Sequence, residues 1–175
     1  LSAAVIASED PQVGKTFKEL LLSTAFRIYL SQDMTGVEVC GAMKNVIAIV
    51  CGISAGSGAG DNTLALIMTR GLAEITRLAV ALGGEAATMS GLAGMGDLIA
   101  TCSSPLSRNH TAGRLLAQGI TPDRLHEHMS QTAESIKSAP VVAELARRHG
   151  VEMPIVEAVV AVLSGRIGIE DLAPQ

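Results

Sequence analysis

The first thirty residues contain two short apolar runs separated by an amphipathic stretch. The runs LSAAVIAS (residues 1–8) and FRIYL (residues 26–30) are rich in β-branched, aromatic or other apolar residues and have the length of strands. Between them, EDPQVGKTFKELLLST has an acidic cluster, a proline near its start and apolar residues at helical spacing, which are Val13, Phe17, Leu20 and Leu21. The pattern predicts a β-α-β unit. Because one such unit is too small to be a domain, we expect it to be the end of a larger sheet.

From Asp33 onward the hydrophobic pattern is helical. One long apolar helix is expected to run from there into the glycine-rich segment GISAGSGAGDN, and a second to run from about Thr63 to Leu82 with Asp61 or Asn62 as its cap. Further helices are expected around residues 85–91, 95–103, 107–118, 122–129, 134–149 and 154–164. The pattern therefore predicts a mainly α fold with a short β-α-β start.

The long helix contains a polar interruption. Lys44 and Asn45 lie in GAMKN, within the otherwise apolar stretch VEVCGAMKNVIAIVCGISAG. Burying an ammonium group is costly unless the group is paired or used chemically. Lys44 could extend from the helix edge into water. Alternatively, a carboxylate such as Asp97 could orient a desolvated lysine, which would then serve as a general acid or base in a hydroxyl/carbonyl interconversion. Both interpretations stay open at this point.

The segment GLAGMGDLIATCSSPLSRN, residues 91–109, contains further candidates. Asp97 follows two glycines and is expected to cap a helix unless it orients the lysine, and Ser107 is expected to cap the next helix. Arg108 and Asn109 then fall in the first helical turn, where a positive side chain opposes the helix dipole. A bound anion would reverse that penalty, because free backbone N–H groups and the guanidinium would both contact it. Anion binding and a solvated arginine both stay open.

Composition excludes several classes of function. The 13 Lys and Arg residues against 17 Asp and Glu residues leave a net charge of −4, and no basic stripe with interleaved aromatics is present, so nucleic-acid binding is not expected. Three cysteines without a C-x-x-C motif, and no signal peptide, favour a reducing cytoplasm. Charged residues interrupt the apolar runs before the ~18 residues of a membrane span, so no span is expected.

Spacing alone finds neither a metal site nor a nucleotide site. The histidines of HEH, residues 126–128, have no third ligand at a recognisable spacing. GSGAGDN has Asp61 where a dinucleotide fingerprint needs its third glycine, and VGKT has Glu9 where a phosphate-binding loop needs its first. No bound metal is expected, and no nucleotide site follows from these motifs.

Four segments share their pattern with one enzyme family. In chain order they are GAMKNVIAIVCGISAGSGAGDN, TRGLAEITRLAVALGG, GLAGMGDLIATCSSPLSRN and AESIKSA. They closely resemble the bacterial NAD(P)-dependent sn-glycerol-3-phosphate dehydrogenases, from Leu1 to about Ile169. The resemblance implies the last β-α-β unit of a Rossmann domain in residues 1–32 and an all-helical substrate domain in residues 33–175. It further implies an oxidoreductase that interconverts dihydroxyacetone phosphate and sn-glycerol 3-phosphate with NAD or NADP. The enzyme would supply glycerol 3-phosphate for phospholipid synthesis.

The resemblance also implies a role for each candidate residue. Proton exchange at the substrate C2 oxygen is implied for Lys44, and a place in the surrounding polar network is implied for Asn45, Asp97 and Thr101. The residues implied to hold the phosphate and glycerol backbone are Ser107, Arg108 and Asn109. Those implied to contact the cofactor are Arg108, Thr132 and Glu134, although Thr132 stands where the family more usually has an aliphatic residue.

Two other functions remain open from the sequence. The helical domain type is shared with related dehydrogenases that act on other phosphorylated or carboxylated hydroxy compounds. The chain could instead be a non-catalytic helical module that binds anions or self-associates. The family's glycine-rich dinucleotide loop and an earlier substrate-binding lysine are not among the 175 residues, so the chain alone is not expected to be active. As partners we expect the small-molecule substrate, and we allow for a homodimer.

Overall fold

A computed structural model describes residues 2–129, 131 and 133–172. Its elements are, in chain order, β1 (Ser2–Ala7), α1 (Pro11–Leu21), β2 (Phe26–Ser31), α2 (Met34–Gly56), α3 (Asp61–Ala81), α4 (Ala86–Met89), a π-helical turn (Leu92–Gly96), α5 (Asp97–Ser103), α6 (Arg108–Ala117), a 3-10 turn (Pro122–Arg124), α7 (Leu125–His128), α8 (Ser135–Arg148), α9 (Pro154–Leu163) and a 3-10 turn (Ile169–Leu172). The mainly α fold with a β-α-β start is confirmed, and among the described elements the π-helical turn and the 3-10 turn Ile169–Leu172 had no counterpart in the sequence pattern.

The β-α-β unit forms as predicted. β1 and β2 pair in parallel over their whole length. α1 starts where Asp10 accepts a hydrogen bond of 2.8 Å from the Gln12 backbone N–H, with Pro11 at the first helical position. Several apolar side chains on and just after α1 are exposed, and these are Val13, Phe17, Leu20, Leu21 and Leu22. The unit therefore presents apolar surface to solvent.

α2 is the central helix of the bundle. Its buried side chains extend from Cys40 to Ile53, and it packs against α3, α5, α6, α8 and α9. By length and composition α2 could cross a membrane, but half of its most apolar window is buried inside the protein. Glu38 and Lys44 do interrupt the apolar run of α2 as predicted, but two charges alone do not exclude a span of this length and composition. Burial by neighbouring helices, rather than Lys44, identifies it as a core helix.

α2 and α6 approach each other closely at glycines. A Cβ atom on Gly52 would collide with the backbone carbonyl of His110, and one on Gly113 would collide with the backbone of α2. The face of α2 that carries Gly52 is therefore a contact surface for α6. Asn45 lies two turns before Gly52 on the same face and contacts Asn109 near the start of α6.

Asp33 joins the starts of α2 and α4. Its Oδ1 accepts a hydrogen bond of 2.7 Å from the Gly36 N–H, and its Oδ2 accepts from the Glu85 N–H at 2.9 Å and the Thr88 hydroxyl at 2.6 Å. Burial by itself would raise the pKa of Asp33, but these hydrogen bonds outweigh burial and lower it. The start of α2 is thereby anchored to a neighbouring helix.

Helix caps agree with the sequence in one case and differ in another. The Ser107 side chain caps α6 by accepting from the His110 N–H, as predicted. α3, however, begins at Asp61 with Gly60 in the cap position. Neither Asp61 nor Asn62 is the cap, because both lie inside the helix, whereas a cap residue must lie outside it.

α9 is capped by a residue from another helix. Glu74, which is buried in the middle of α3, accepts hydrogen bonds from the N–H groups of Ile155 at 2.8 Å and Val156 at 3.4 Å. Burial raises the pKa of Glu74 despite these hydrogen bonds and the nearby arginines. Pro154 is the first residue of α9, as the sequence predicted.

Candidate active site

Lys44 and Asp97 form an ion pair between α2 and α5. Lys44 Nζ donates to Asp97 Oδ2, and Asp97 Oδ1 accepts a hydrogen bond of 3.3 Å from the Thr101 hydroxyl one helical turn later. The side chain of Lys44 is 22% exposed and that of Asp97 is 42% exposed. The interpretation in which Lys44 simply extends into water is wrong. The lysine is partly desolvated and held by a carboxylate.

Asp97 is not the N-cap that its position after two glycines suggested. The π-helical turn continues directly into α5, so Gly96 has helical backbone angles, and the Asp97 backbone N–H already donates to carbonyl groups of that turn. A side-chain cap requires free N–H groups at the helix start. Asp97 is instead the first residue of α5, with Gly96 in the cap position, and its carboxylate accepts hydrogen bonds from Lys44 and Thr101.

A chain of side-chain hydrogen bonds connects three helices beside this pair. The Ser135 hydroxyl at the start of α8 donates to Asn109 Oδ1, Asn109 Nδ2 donates to Asn45 Oδ1 at 2.9 Å, and Asn45 Nδ2 donates to the Gly41 carbonyl at 3.1 Å. Ser135 and Asn109 are buried, with 1% and 8% of their surface exposed. Asn45 is thus joined to α6 and α8 as well as being adjacent to Lys44.

The start of α6 carries the predicted anion-binding residues. Arg108 is the first residue of the helix, is exposed, and donates from Nη1 to Gln131 Oε1 at 2.9 Å. Because the Gln131 amide is neutral, it orients the guanidinium without cancelling its positive charge. The helix start and the arginine therefore provide donors and positive charge in one place.

Two adjoining cavities border these groups. One, of about 340 Å³, is lined by Asn45, Ala100, Thr101, Ser104, Leu106, Ser107, Arg108 and Asn109. The other, of about 380 Å³, is lined mainly by small or apolar residues of β1, α2, the π-helical turn and α5, together with Asp97. Ala100 lines both cavities. A polar cavity and a mainly apolar one thus meet at α5.

Cys40 and Cys102 are poor nucleophiles, because their pKa values are raised. All three cysteines lie within the described residues and are buried free thiols. Burial, with contributions from Asp33 and Asp97, raises the pKa of Cys40 to about 11. Contact with the Cys51 thiol and burial both raise the pKa of Cys102. In residues 2–129, 131 and 133–172, no group of three or more His, Cys, Asp or Glu side chains could hold a metal ion.

The helical part of the chain matches a known family over most of its length. The matching family model is described as the C-terminus of NAD-dependent glycerol-3-phosphate dehydrogenase, and it covers residues 33–173. The chain belongs to this family. The resemblance seen in the sequence is therefore confirmed.

Relatives of this dehydrogenase family extend the match to nearly the whole chain. A protein of Thermobifida fusca named glycerol-3-phosphate dehydrogenase (NAD(P)+) is 54% identical over 93% of this chain and 48% of its own length. A protein of the same name from Maricaulis maris is 49% identical over 97% of this chain and 51% of its own length. The chain thus spans about half the length of the curated relatives it matches.

Solved structures of the family have the same fold. The crystal structure of glycerol-3-phosphate dehydrogenase from Coxiella burnetii matches with a TM-score of 0.93 and 38% identity over 97% of this chain and 52% of that chain. The yeast enzyme matches with a TM-score of 0.86 and 28% identity over 97% of this chain and 52% of that chain. The helical bundle with its β-α-β start is therefore the C-terminal dehydrogenase fold that the sequence predicted.

The structure brings most of the residues predicted from the family resemblance together. Contacts with one another or a shared cavity lining connect Lys44, Asn45, Asp97, Thr101, Ser107, Arg108 and Asn109. Glu134 is exposed immediately before Ser135. Thr132, the other predicted cofactor contact, lies outside the described residues.

Sequence analysis missed Gln131 and Ser135. Both are polar residues at or just before the start of α8, and the sequence assigned neither of them a role. Their signals were proximity in the chain to Glu134 and, for Ser135, a place in the AESIKSA segment. Their partners are Arg108 and Asn109 of α6, which lie 23 and 26 residues earlier in the chain.

Proposed function

We propose that the whole protein interconverts dihydroxyacetone phosphate and sn-glycerol 3-phosphate with NAD(P)H or NAD(P)+. The observation that carries this proposal is the Lys44–Asp97 pair beside a cavity that Arg108 and the start of α6 line, in a chain of the glycerol-3-phosphate dehydrogenase family. The names of the relatives support the same reaction. We further propose that the protein works in the cytoplasm and supplies glycerol 3-phosphate for phospholipid synthesis.

Proton transfer is the proposed role of the lysine pair. Reducing a ketone creates negative charge on its oxygen, which a nearby acid must neutralise. Lys44 donates a proton to the C2 oxygen, and it accepts one from the hydroxyl in the reverse direction. Asp97 holds the Lys44 ammonium group, and Thr101 fixes the orientation of the carboxylate. Asn45 and Asn109 bind the substrate oxygens from the same cavity.

Phosphate binding is the proposed role of the start of α6. A helix N-terminus supplies N–H donors and positive potential to an anion. Arg108 adds a guanidinium that can bind two phosphate oxygens at once. The Ser107 side chain already accepts from the His110 N–H, so its hydroxyl hydrogen stays available to the ligand.

The cofactor is proposed to lie next to Asp97, against β1. When bound, NAD(P)H supplies the hydride that the substrate carbon receives. The cavity beside Asp97 suits a flat ring because small residues such as Ala93, Gly96 and Ala100 line it. Arg108 and Glu134 are proposed contacts. We also propose that residues 1–32 end a dinucleotide-binding domain and that residues 33–175 form the substrate domain.

We expect the 175-residue chain by itself not to oxidise NADH in the presence of dihydroxyacetone phosphate. The same chain joined to the N-terminal half of the Thermobifida fusca relative should do so, because the cofactor would then have a binding domain. The absorbance of NADH at 340 nm measures NADH oxidation by the isolated chain and by the joined protein. Turnover by the isolated chain would contradict the need for a second domain. Faster turnover of the joined protein on another phosphorylated or carboxylated compound would favour a related dehydrogenase.

We also expect the isolated chain to self-associate through its β-α-β unit. Unpaired strand edges and exposed apolar helix faces favour association, and Phe17 and Leu20 are 51% and 73% exposed. Sedimentation should show dimers or larger species. The double substitution Phe17→Asp with Leu20→Asp should dissociate them into monomers, whereas Val141→Asp, at an exposed apolar position on α8, should not. A monomer at high concentration, with residues 2–31 protected from hydrogen exchange, would contradict this. For the whole protein we propose a homodimer, which the same measurement tests.

A further inference from the structure

We infer that Ser135 is a positioning residue that orients the side-chain amides of Asn109 and Asn45 toward the substrate cavity. The inference rests on the proposed function, because it assigns these two amides to substrate binding. It concerns a residue to which neither the sequence motifs nor the family resemblance assigned a role. The three side chains lie on three different helices, α8, α6 and α2.

The hydrogen-bond chain has a direction that its two ends impose. At one end the Gly41 carbonyl can only accept, so Asn45 must turn its NH₂ group toward it. Asn45 Oδ1 then faces Asn109, which must donate a hydrogen bond to it from its own NH₂ group. This leaves Asn109 Oδ1 pointing at α8, where only a donor can satisfy it. Ser135 supplies that donor with its hydroxyl.

Burial makes this last contact important. Asn109 is 8% exposed and Ser135 is 1% exposed, so water has little access to their contact. Without the hydroxyl, Asn109 Oδ1 would be a buried acceptor with no donor from position 135, which is unfavourable. The amide would then rotate or shift to find another partner. Any such movement also disturbs Asn45, because Asn109 donates to it.

The two amides that Ser135 orients both line the cavity. Each amide nitrogen carries two hydrogens, and the chain uses one of them in each residue. The other N–H of each amide is therefore available to substrate oxygens. Asn45 follows Lys44 in sequence and Asn109 follows Arg108. The hydrogen-bond chain therefore connects the part of the substrate site proposed for proton transfer with the part proposed for phosphate binding.

Ser135→Ala in the joined two-domain protein should lower kcat/KM for dihydroxyacetone phosphate by about 5- to 150-fold, the range for a buried polar group that loses its partner. KM for NAD(P)H should not change. Ser138→Ala, a matched substitution one turn later on α8, should leave both parameters unchanged. In an Asn109→Ala background, Ser135→Ala should add less than about twofold, because Ser135 acts through Asn109. Additive losses, or equal losses in Ser138→Ala, would overturn the inference.

Ser135→Thr and Ser135→Val provide a second comparison if the alanine variant does not fold. The two side chains have nearly the same shape, and only threonine keeps the hydroxyl. Threonine should therefore retain at least fivefold more kcat/KM than valine. Equal values for the two variants would show that the hydroxyl has no positioning role.

Side-chain amide NMR signals test the inference without any reaction. In the 175-residue chain labelled with ¹⁵N at asparagine, Ser135→Ala should shift the side-chain signals of Asn109 and Asn45, while Ser138→Ala should leave them in place. Unchanged signals in Ser135→Ala would overturn the positioning role and leave the proposed function intact. Shifted signals in a chain whose joined enzyme does not act on dihydroxyacetone phosphate would support the hydrogen-bond chain and overturn the proposed function.

Discussion

Lys44→Ala in the whole protein should lower kcat by roughly 10²- to 10⁴-fold, the range that general acid–base catalysis contributes. The substitution removes the proposed proton donor, and it leaves Asp97 without the cation that it holds in the folded protein. The start of α6 is not altered, so binding of the phosphate group should be largely retained. Stopped-flow or steady-state measurement of NADH oxidation gives kcat, and fluorescence titration of NADH gives cofactor binding.

Two comparisons distinguish a chemical role for Lys44 from a structural one. Lys137→Ala removes an exposed lysine from α8 and should leave kcat unchanged. Asp97→Asn keeps the shape of the side chain but removes its charge, so it should also lower kcat while preserving cofactor binding. Near-normal turnover of Lys44→Ala would remove Lys44 from the mechanism.

Arg108→Lys should weaken binding of dihydroxyacetone phosphate by about 1.5–3 kcal/mol, the range for a hydrogen bond to a charged group. Lysine keeps the positive charge but loses the planar guanidinium that can bind two oxygens at once. It also loses the geometry of the contact that Arg108 makes with Gln131. Binding of unphosphorylated dihydroxyacetone should be weakened far less, because this compound has no phosphate. Steady-state kinetics with both substrates measure the difference.

Arg114→Lys is the matched control for Arg108→Lys. Arg114 lies in the last turn of the same helix and is exposed. Its substitution should leave kcat/KM unchanged for both substrates. If Arg108→Lys reduced kcat/KM equally for the phosphorylated and unphosphorylated substrates, Arg108 would support the fold or the cofactor, and its assignment to the phosphate would be wrong.

The positions of the helices and strands follow from local sequence signals. Apolar residues at helical spacing predicted the helices that the structure contains, and proline marked the first residues of α1 and α9. These signals are reliable because they act within one or two turns of the chain. The Ser107 cap belongs to the same class, since donor and acceptor are three residues apart. Helix starts without such a local contact, as at Asp61, were predicted less well.

The candidate residues of the site were found through the motifs around Lys44 and Arg108. The contact between Lys44 and Asp97 was one of two open alternatives, and the other contacts between side chains of the site were not predicted. Asp97 shows the difference: its local sequence suggested a cap, whereas it is the first residue of α5, and its carboxylate accepts hydrogen bonds from Lys44 and Thr101. Gln131 and Ser135 show it again, because both contact α6 across a gap of more than twenty residues. A single sequence contains no spacing rule for such contacts.

By itself, the sequence determined the fold class, the order of the elements and the family, because periodicity, caps and motifs depend on residues close together in the chain. Only the tertiary structure decided which polar groups are partners. Lys44 binds Asp97 53 residues away, Asn45 binds Asn109 64 residues away, and Glu74 caps a helix 81 residues away. Such pairs form because burial in a packed bundle makes an unpaired polar group costly. The partner is therefore whichever group the packing of α2, α3, α5, α6, α8 and α9 brings within reach.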